Sequence, residues 1–234
     1  MRILYTVPLL HTANEIMVEG RGDFANLPEE HKRPYLRFVN SYWDTIERRI
    51  QGYKVNRVYL DGYSGGYWDS LALSANLGSR VANTVLDLIS KGATLEITDE
   101  MPLVAKTREI YAKLGSIPNP SLREFETKML SALMSRDLFI SRNVRATLGE
   151  NEAGMLFHGL THCPMNFKDV KLIGIYSRKK LREKLLRTGA LGAVVVNMMD
   201  LHQQILKIAE KSGVLPQLAD YVDNPKKYGY NYSV

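Results

Sequence analysis

Residues 2 to 11 read Arg2-Ile3-Leu4-Tyr5-Thr6-Val7-Pro8-Leu9-Leu10-His11, a stretch rich in Ile, Leu, Val and Tyr that stops at an imidazole. That composition predicts a buried strand whose carboxyl end delivers His11 to a loop. Four more stretches follow the same plan. Val55 to Leu60 ends in Asp61, Ala93 to Thr98 in Asp99-Glu100, and Gly154 to Phe157 in His158-Gly159-Leu160-Thr161-His162, while Lys171 to Tyr176 runs into a basic segment. Helical spacing fills the intervals. Leu36, Val39, Trp43, Ile46 and Ile50 recur at three and four, so a helix is expected over Pro34 to Ile50, with Pro34 in its first turn and Gly52 as its stop. Further helices are expected over Ser70 to Ser90, Pro102 to Leu114 and Ser121 to Leu148. Strands alternating with helices imply an α/β fold, with a mostly parallel or mixed sheet covered on both faces. In such sheets ligands bind beyond the carboxyl ends of the strands, which makes the residues just after each strand the first candidates for function.

The 234 residues, 45% hydrophobic and 24% charged, suit one large domain. We expect it to span 1–222, with a core over 1–176, a helical part over 177–222 and a loose tail over 223–234. No apolar run reaches the roughly 20 residues of a membrane-spanning helix. Pro8 interrupts the apolar start and no small-residue cleavage site follows, so no leader is expected. The lone Cys163 cannot form an internal disulfide. Together these point to a soluble, cytoplasmic protein. Most of the +6 net charge sits in 178–187, where Arg178, Lys179, Lys180, Arg182, Lys184 and Arg187 face the single acid Glu183. Leu181 and Leu185 lie four apart, so this segment reads as an amphipathic helix with a solvated basic face rather than a nucleic-acid contact. The apolar stretch 191–208 fits either core or a contact between identical subunits.

The long helix carries an anomaly. Leu130, Leu133, Met134, Ile140, Val144 and Leu148 define its core stripe, and Asp137 falls on that stripe. A carboxylate turned inward needs a cation, a metal or a hydrogen-bonding His. Arg136, at the edge of the same face, could be that cation or could reach a bound anion; a structural pair locking helix to sheet is the competing reading. His158 and His162 are four apart, but Gly159 and Pro164 bracket a turn rather than a zinc-binding helix. Of the two, His162 is preferred as functional and His158 as a supporting histidine. Tyr63, Tyr67 and Trp68 beside Asp61 suit a pocket for a ring, sugar or flat cofactor, or packing against a neighbouring loop. Glu15 is a further carboxylate in the loop after His11. The glycine patterns of a P-loop and of a dinucleotide-binding turn are both missing.

This ordered set, a strand ending in His11, another ending in Asp61, Arg136-Asp137 on a long helix and a strand leading to Gly159-Leu160-Thr161-His162, resembles the superfamily of the TraB/PrgY pheromone-shutdown proteins, the Tiki metalloproteases, erythromycin esterase and the ChaN haem-binding lipoproteins. The first motif reads Pro8-Leu9-Leu10-His11 without the family's glycine, and Asp61 replaces its usual glutamate. The resemblance covers residues 1 to about 176. It implies that His11, Asp61, Arg136, Asp137 and His162 converge on one pocket. Two functions follow as expectations. One is a hydrolase in which His11 and His162, with Asp61 or Glu15, act as base and acid or hold zinc, manganese, cobalt or iron. The other is a protein that binds a small molecule or haem in the same pocket without turnover.

Overall fold

The computed structural model describes residues 1–10, 28–65, 68–102, 105, 109, 122–160, 169–193, 195–197, 199 and 200. In chain order these form β1 (Arg2–Leu9), α1 (Glu29–Ile50), β2 (Arg57–Leu60), α2 (Trp68–Asn76), α3 (Arg80–Ser90), β3 (Thr94–Glu96), α4 (Leu122–Thr147), β4 (Ala153–Gly159), β5 (Val170–Gly174) and α5 (Arg178–Leu186). The five strands make one sheet in the order β3-β2-β4-β1-β5, every pair parallel. The α/β architecture with a parallel central sheet is thus the observed one.

Side chains on a strand alternate between its faces, and the core divides accordingly. Val7 and Leu9 of β1, Val58 of β2, and Met155 and Phe157 of β4 meet α1, α3 and α5 on one face. Leu4, Tyr59 and Leu156 meet Ile140 and Val144 of α4, and Leu148 just past its end, on the other. The connection leaving β1 covers one face, whereas the helix leading into the neighbouring β4 covers the opposite one.

A proline in an interior strand normally breaks a ladder. Pro8 is tolerated because β5 pairing stops at Thr6 opposite Gly174, so the side of β1 that Pro8 faces has no strand left to bond. Its carbonyl is taken instead by the Tyr42 hydroxyl at 2.5 Å, and the carbonyl of Leu10 accepts from Trp43 Nε1 at 2.8 Å. Two buried aromatic residues of α1 therefore pin the carboxyl end of β1. At Gly154 of β4 a Cβ would lie 2.9 Å from the Tyr59 ring and 3.0 Å from Leu4, so the central strand needs glycine to let Tyr59 lie flat against it.

Helix boundaries differ from expectation in two places. The stretch 70–90 is two helices, because Gly78 adopts φ +86° and Ser79 caps α3 by accepting from the Ala82 amide. Helix α1 begins at Glu29, where Glu29 and Glu30 complement its positive end. Pro34 then sits in the second turn, at the cost of the bond to the Glu30 carbonyl. The basic segment is helical as expected, with Leu181 and Leu185 buried and its Lys179, Lys180, Arg182 and Lys184 exposed. Of the 191–208 stretch, Val196 and Met199 pack into the main core of this same chain. Among the described residues no helix is long and apolar enough to cross a membrane.

Two buried phenols give the fold a pH signature. Burial pushes the Tyr59 hydroxyl, 2.8 Å from Thr147 Oγ1, up to about 12, and burial raises that of Tyr42 too. Both groups are neutral in folded and unfolded chains below the ordinary value of 10.0. Above it the unfolded chain ionises first, so their contribution to stability is present at neutral pH and is lost as pH rises from 10 towards 12 and beyond. Ultraviolet titration of the 13 tyrosines should leave at least two protonated at about pH 11 in the folded protein. Full ionisation near pH 10 in a protein that is still folded would contradict these placements.

Candidate functional site

The loop after β2 turns on glycine. The Tyr63 amide bonds the Leu60 carbonyl at 3.0 Å across a turn whose third residue, Gly62, has φ +82°, a conformation that L side chains rarely adopt. The Tyr63 carbonyl then accepts the amides of Thr98 (2.9 Å) and Asp99 (3.0 Å) from the end of β3, and Thr98 Oγ1 bonds the Leu60 carbonyl. These bonds knit the two loops together. They set the carboxylates of Asp61 and Asp99 side by side, within reach of α4.

Arg136 of α4 answers both. Its Nε donates to Asp99 Oδ2 at 2.8 Å, and one terminal nitrogen reaches both that oxygen and Asp61 Oδ1, the latter at 2.7 Å. All three side chains are largely withdrawn from water: 11% exposed for Arg136, 12% for Asp61 and 0% for Asp99. Burial opposes the guanidinium charge, but Asp61, Asp99 and Asp137 more than offset it and hold the Arg136 pKa above its ordinary value. Asp137 is 2% exposed, the inward position its place on the helical stripe predicts.

The second oxygen of Asp61 does separate work. Oδ2 accepts the backbone amide of Gly159, the last residue of β4, at 2.9 Å. One carboxylate thus ties β2 and β4, through Arg136, to α4 and β3. On the far side of the same turn Arg178, the first residue of α5, donates to the Leu160 carbonyl at 3.4 Å. Gly159 and Leu160, immediately before Thr161-His162, are therefore held from both sides.

His158 is buried at 5% exposure, with Nδ1 3.0 Å from the Gly159 carbonyl. Its ring lines a cavity of about 420 Å³ at the carboxyl rim of β1, β4 and β5, walled also by Thr6, Pro8, Leu160, Tyr176, Arg178 and Met199. No family model, no curated protein and no solved structure matches this chain. What the site can do is consequently read from its own residues.

Of the candidates named from sequence, Asp61, Arg136 and Asp137 come together at one end of the sheet and His158 lines the rim cavity. Tyr63 is buried and acts through its carbonyl rather than as a wall of that cavity. Trp68 opens α2. His11, Glu15, Tyr67, His162 and Cys163 lie outside the described residues, and with them the proposed pair of histidine metal ligands. Among the described residues no group of three or more His, Cys, Asp or Glu is placed to hold a metal ion. Asp99 is the residue that sequence reasoning undervalued. Its place after a strand makes it a candidate, but nothing in the sequence says that β3 lies beside β2 and so brings Asp99 to Arg136.

Proposed function

We propose that the chain is a hydrolase resembling the TraB, Tiki and erythromycin esterase group, acting on an ester or amide bond at the carboxyl rim between β1 and β4. The observation that carries this reading is the parallel register of those strands, in which Leu9 lies opposite Gly159. In sequence His11 follows Leu9 by two residues and His162 follows Gly159 by three, so the described backbone that leads to each histidine ends at adjacent strand ends of the same rim. The segments before them are fixed, one by Tyr42 and Trp43, the other by Asp61 and Arg178. Pre-organised backbone of this kind keeps catalytic groups in register with a substrate. In this reading His11 and His162 move protons to and from the attacking water and the leaving group. Asp61, Arg136 and Asp99 are positioning residues that hold the β4 turn. In the metal-assisted version the same imidazoles bind a divalent ion, whose chemistry is to lower the pKa of bound water.

A second reading, binding without turnover, is favoured by the rim cavity itself. Tyr176, Met199 and Leu160 supply apolar wall and His158 and Arg178 supply polar groups, a mixture suited to a small organic ligand or haem. One experiment separates the two. Wild type and His162→Ala are assayed on an ester and amide panel, with elemental analysis of both proteins and thermal unfolding in the presence of each compound. The hydrolase predicts product from wild type and a loss of roughly 100-fold or more in the variant at unchanged Tm. A rise in Tm without product favours the binding protein. Equal activity in both proteins would overturn the role of His162, and intact activity in metal-free protein would remove the metal-assisted version.

A further inference from the structure

On the face opposite α4, helices α1 and α5 diverge around the ring of Tyr176 and leave a cavity of about 460 Å³. Four of its lining side chains are cations: Arg49 from α1, and Lys180, Lys184 and Arg187 from the region of α5. Glu183 is the single acid among them. Lys184 Nζ lies 5.9 Å from the Tyr176 ring centre and the Arg49 guanidinium carbon 5.8 Å from it, so the ring forms a platform onto which two cations already lean. Arg49 also donates to the Ile175 carbonyl, which anchors its guanidinium at the cavity wall. Among the described residues no ion pair engages Lys180, Lys184 or Arg187, although Glu183 is within helical reach of two of them. Arg182, on the outer side of the same helix, is by contrast paired with Asp200 at 2.7 Å.

Like charges gathered in a concave space repel one another, and an anion with several charges relieves that repulsion in proportion to its charge. We propose that this cavity is a binding site for a small ligand carrying two or more phosphoryl groups, seated on Tyr176 and held by Arg49, Lys180, Lys184 and Arg187. A nucleic-acid backbone fits less well. Its recognition calls for positive charge strung along a surface track, whereas these cations converge on one cavity and the chain outside 178–187 is close to neutral. The cavity shares Tyr176 and Ser177 with the rim cavity, but its four cations line this cavity alone, and the proposal does not depend on the hydrolase reading.

The test is titration of the full chain with inorganic pyrophosphate and tripolyphosphate at constant ionic strength, followed by calorimetry and by backbone amide NMR. Orthophosphate, sulfate and a 20-nucleotide single-stranded DNA are the comparison arms. Wild type should bind tripolyphosphate more tightly than pyrophosphate, and pyrophosphate at least about tenfold more tightly than sulfate or orthophosphate, with shifts centred on 176–187. Lys184→Ala/Arg187→Ala, two exposed positions, should weaken tripolyphosphate binding at least about tenfold, and Arg182→Ala should leave it unchanged. Equal binding by wild type and the double variant, indifference between tripolyphosphate and sulfate, or no binding at millimolar concentration would each overturn the proposal. Tighter binding of the DNA, weakened equally by Arg182→Ala, would overturn it in favour of a nucleic-acid surface.

Discussion

Arg136→Ala should be among the most damaging single substitutions in the molecule, costing about 3–5 kcal/mol of stability, the usual consequence of removing one partner from a buried ion pair. The side chain it abandons, Asp99, is wholly shielded from solvent, and Asp61 is nearly so. Two carboxylates would then share a site with no guanidinium between them, and each would have to protonate, recruit water or move. The damage should spread beyond α4, because the Asp61 group that would be displaced also holds the Gly159 amide. Urea unfolding of Arg136→Ala, Arg136→Lys and Arg136→Ala/Asp99→Asn checks the mechanism. Lysine restores charge but cannot span both aspartates with a planar fork, so it should recover part of the loss. The double variant should be less damaged than Arg136→Ala alone, since it removes the stranded charge. A loss below about 1 kcal/mol in Arg136→Ala would show that the cluster contributes nothing net.

Gly192→Ala is the second large effect. A Cβ there would lie 1.8 Å from the Leu185 carbonyl oxygen and 2.3 Å from Thr188 Oγ1, distances that no side-chain adjustment can relieve, because the nearer obstacle is backbone. The helical turn at 190–193 would have to lift off the end of α5. Val196 and Met199, a turn or two further on, are in the main core together with Leu181 and Leu185, so the shift would open apolar contacts as well. Overpacking typically costs about 1–3 kcal/mol, and we expect the upper end of that range. Gly189→Ala is the control. Gly189 has φ +87° but open space around its missing Cβ, so it should suffer backbone strain alone, roughly 1–2 kcal/mol. The account of Gly192 fails if its alanine variant is as stable as that of Gly189.

The layered fold was legible because its signals are local. Runs of Ile, Leu, Val and Tyr, apolar recurrence at three and four, and strands ending in Asp or His are written in contiguous residues. The inward turn of Asp137 was legible for the same reason, since one helical period fixes which way it points. The break between α2 and α3 was also legible in principle, in Leu77-Gly78-Ser79, where a glycine and a capping serine meet; the strength of the apolar pattern on either side concealed it. The order of the strands was not legible. Pairing of β4 with both β1 and β2 joins residues about 100 or more apart in sequence, and no local propensity encodes it. The Arg136–Asp99 contact is a by-product of that order. Sequence spacing alone offered Asp137 as the natural partner of Arg136, while the sheet supplied two others.

The position of β4 in the sheet also has a consequence for how the chain matures. β1 and β2 flank a gap that is filled by residues 153–159, so no stage of synthesis before that segment emerges can assemble the centre of the sheet. Until then each of the two earliest strands keeps an edge unsatisfied, a state prone to mispairing and slow to resolve. Nascent chains halted short of residue 153 should therefore be ready clients for chaperones and proteases.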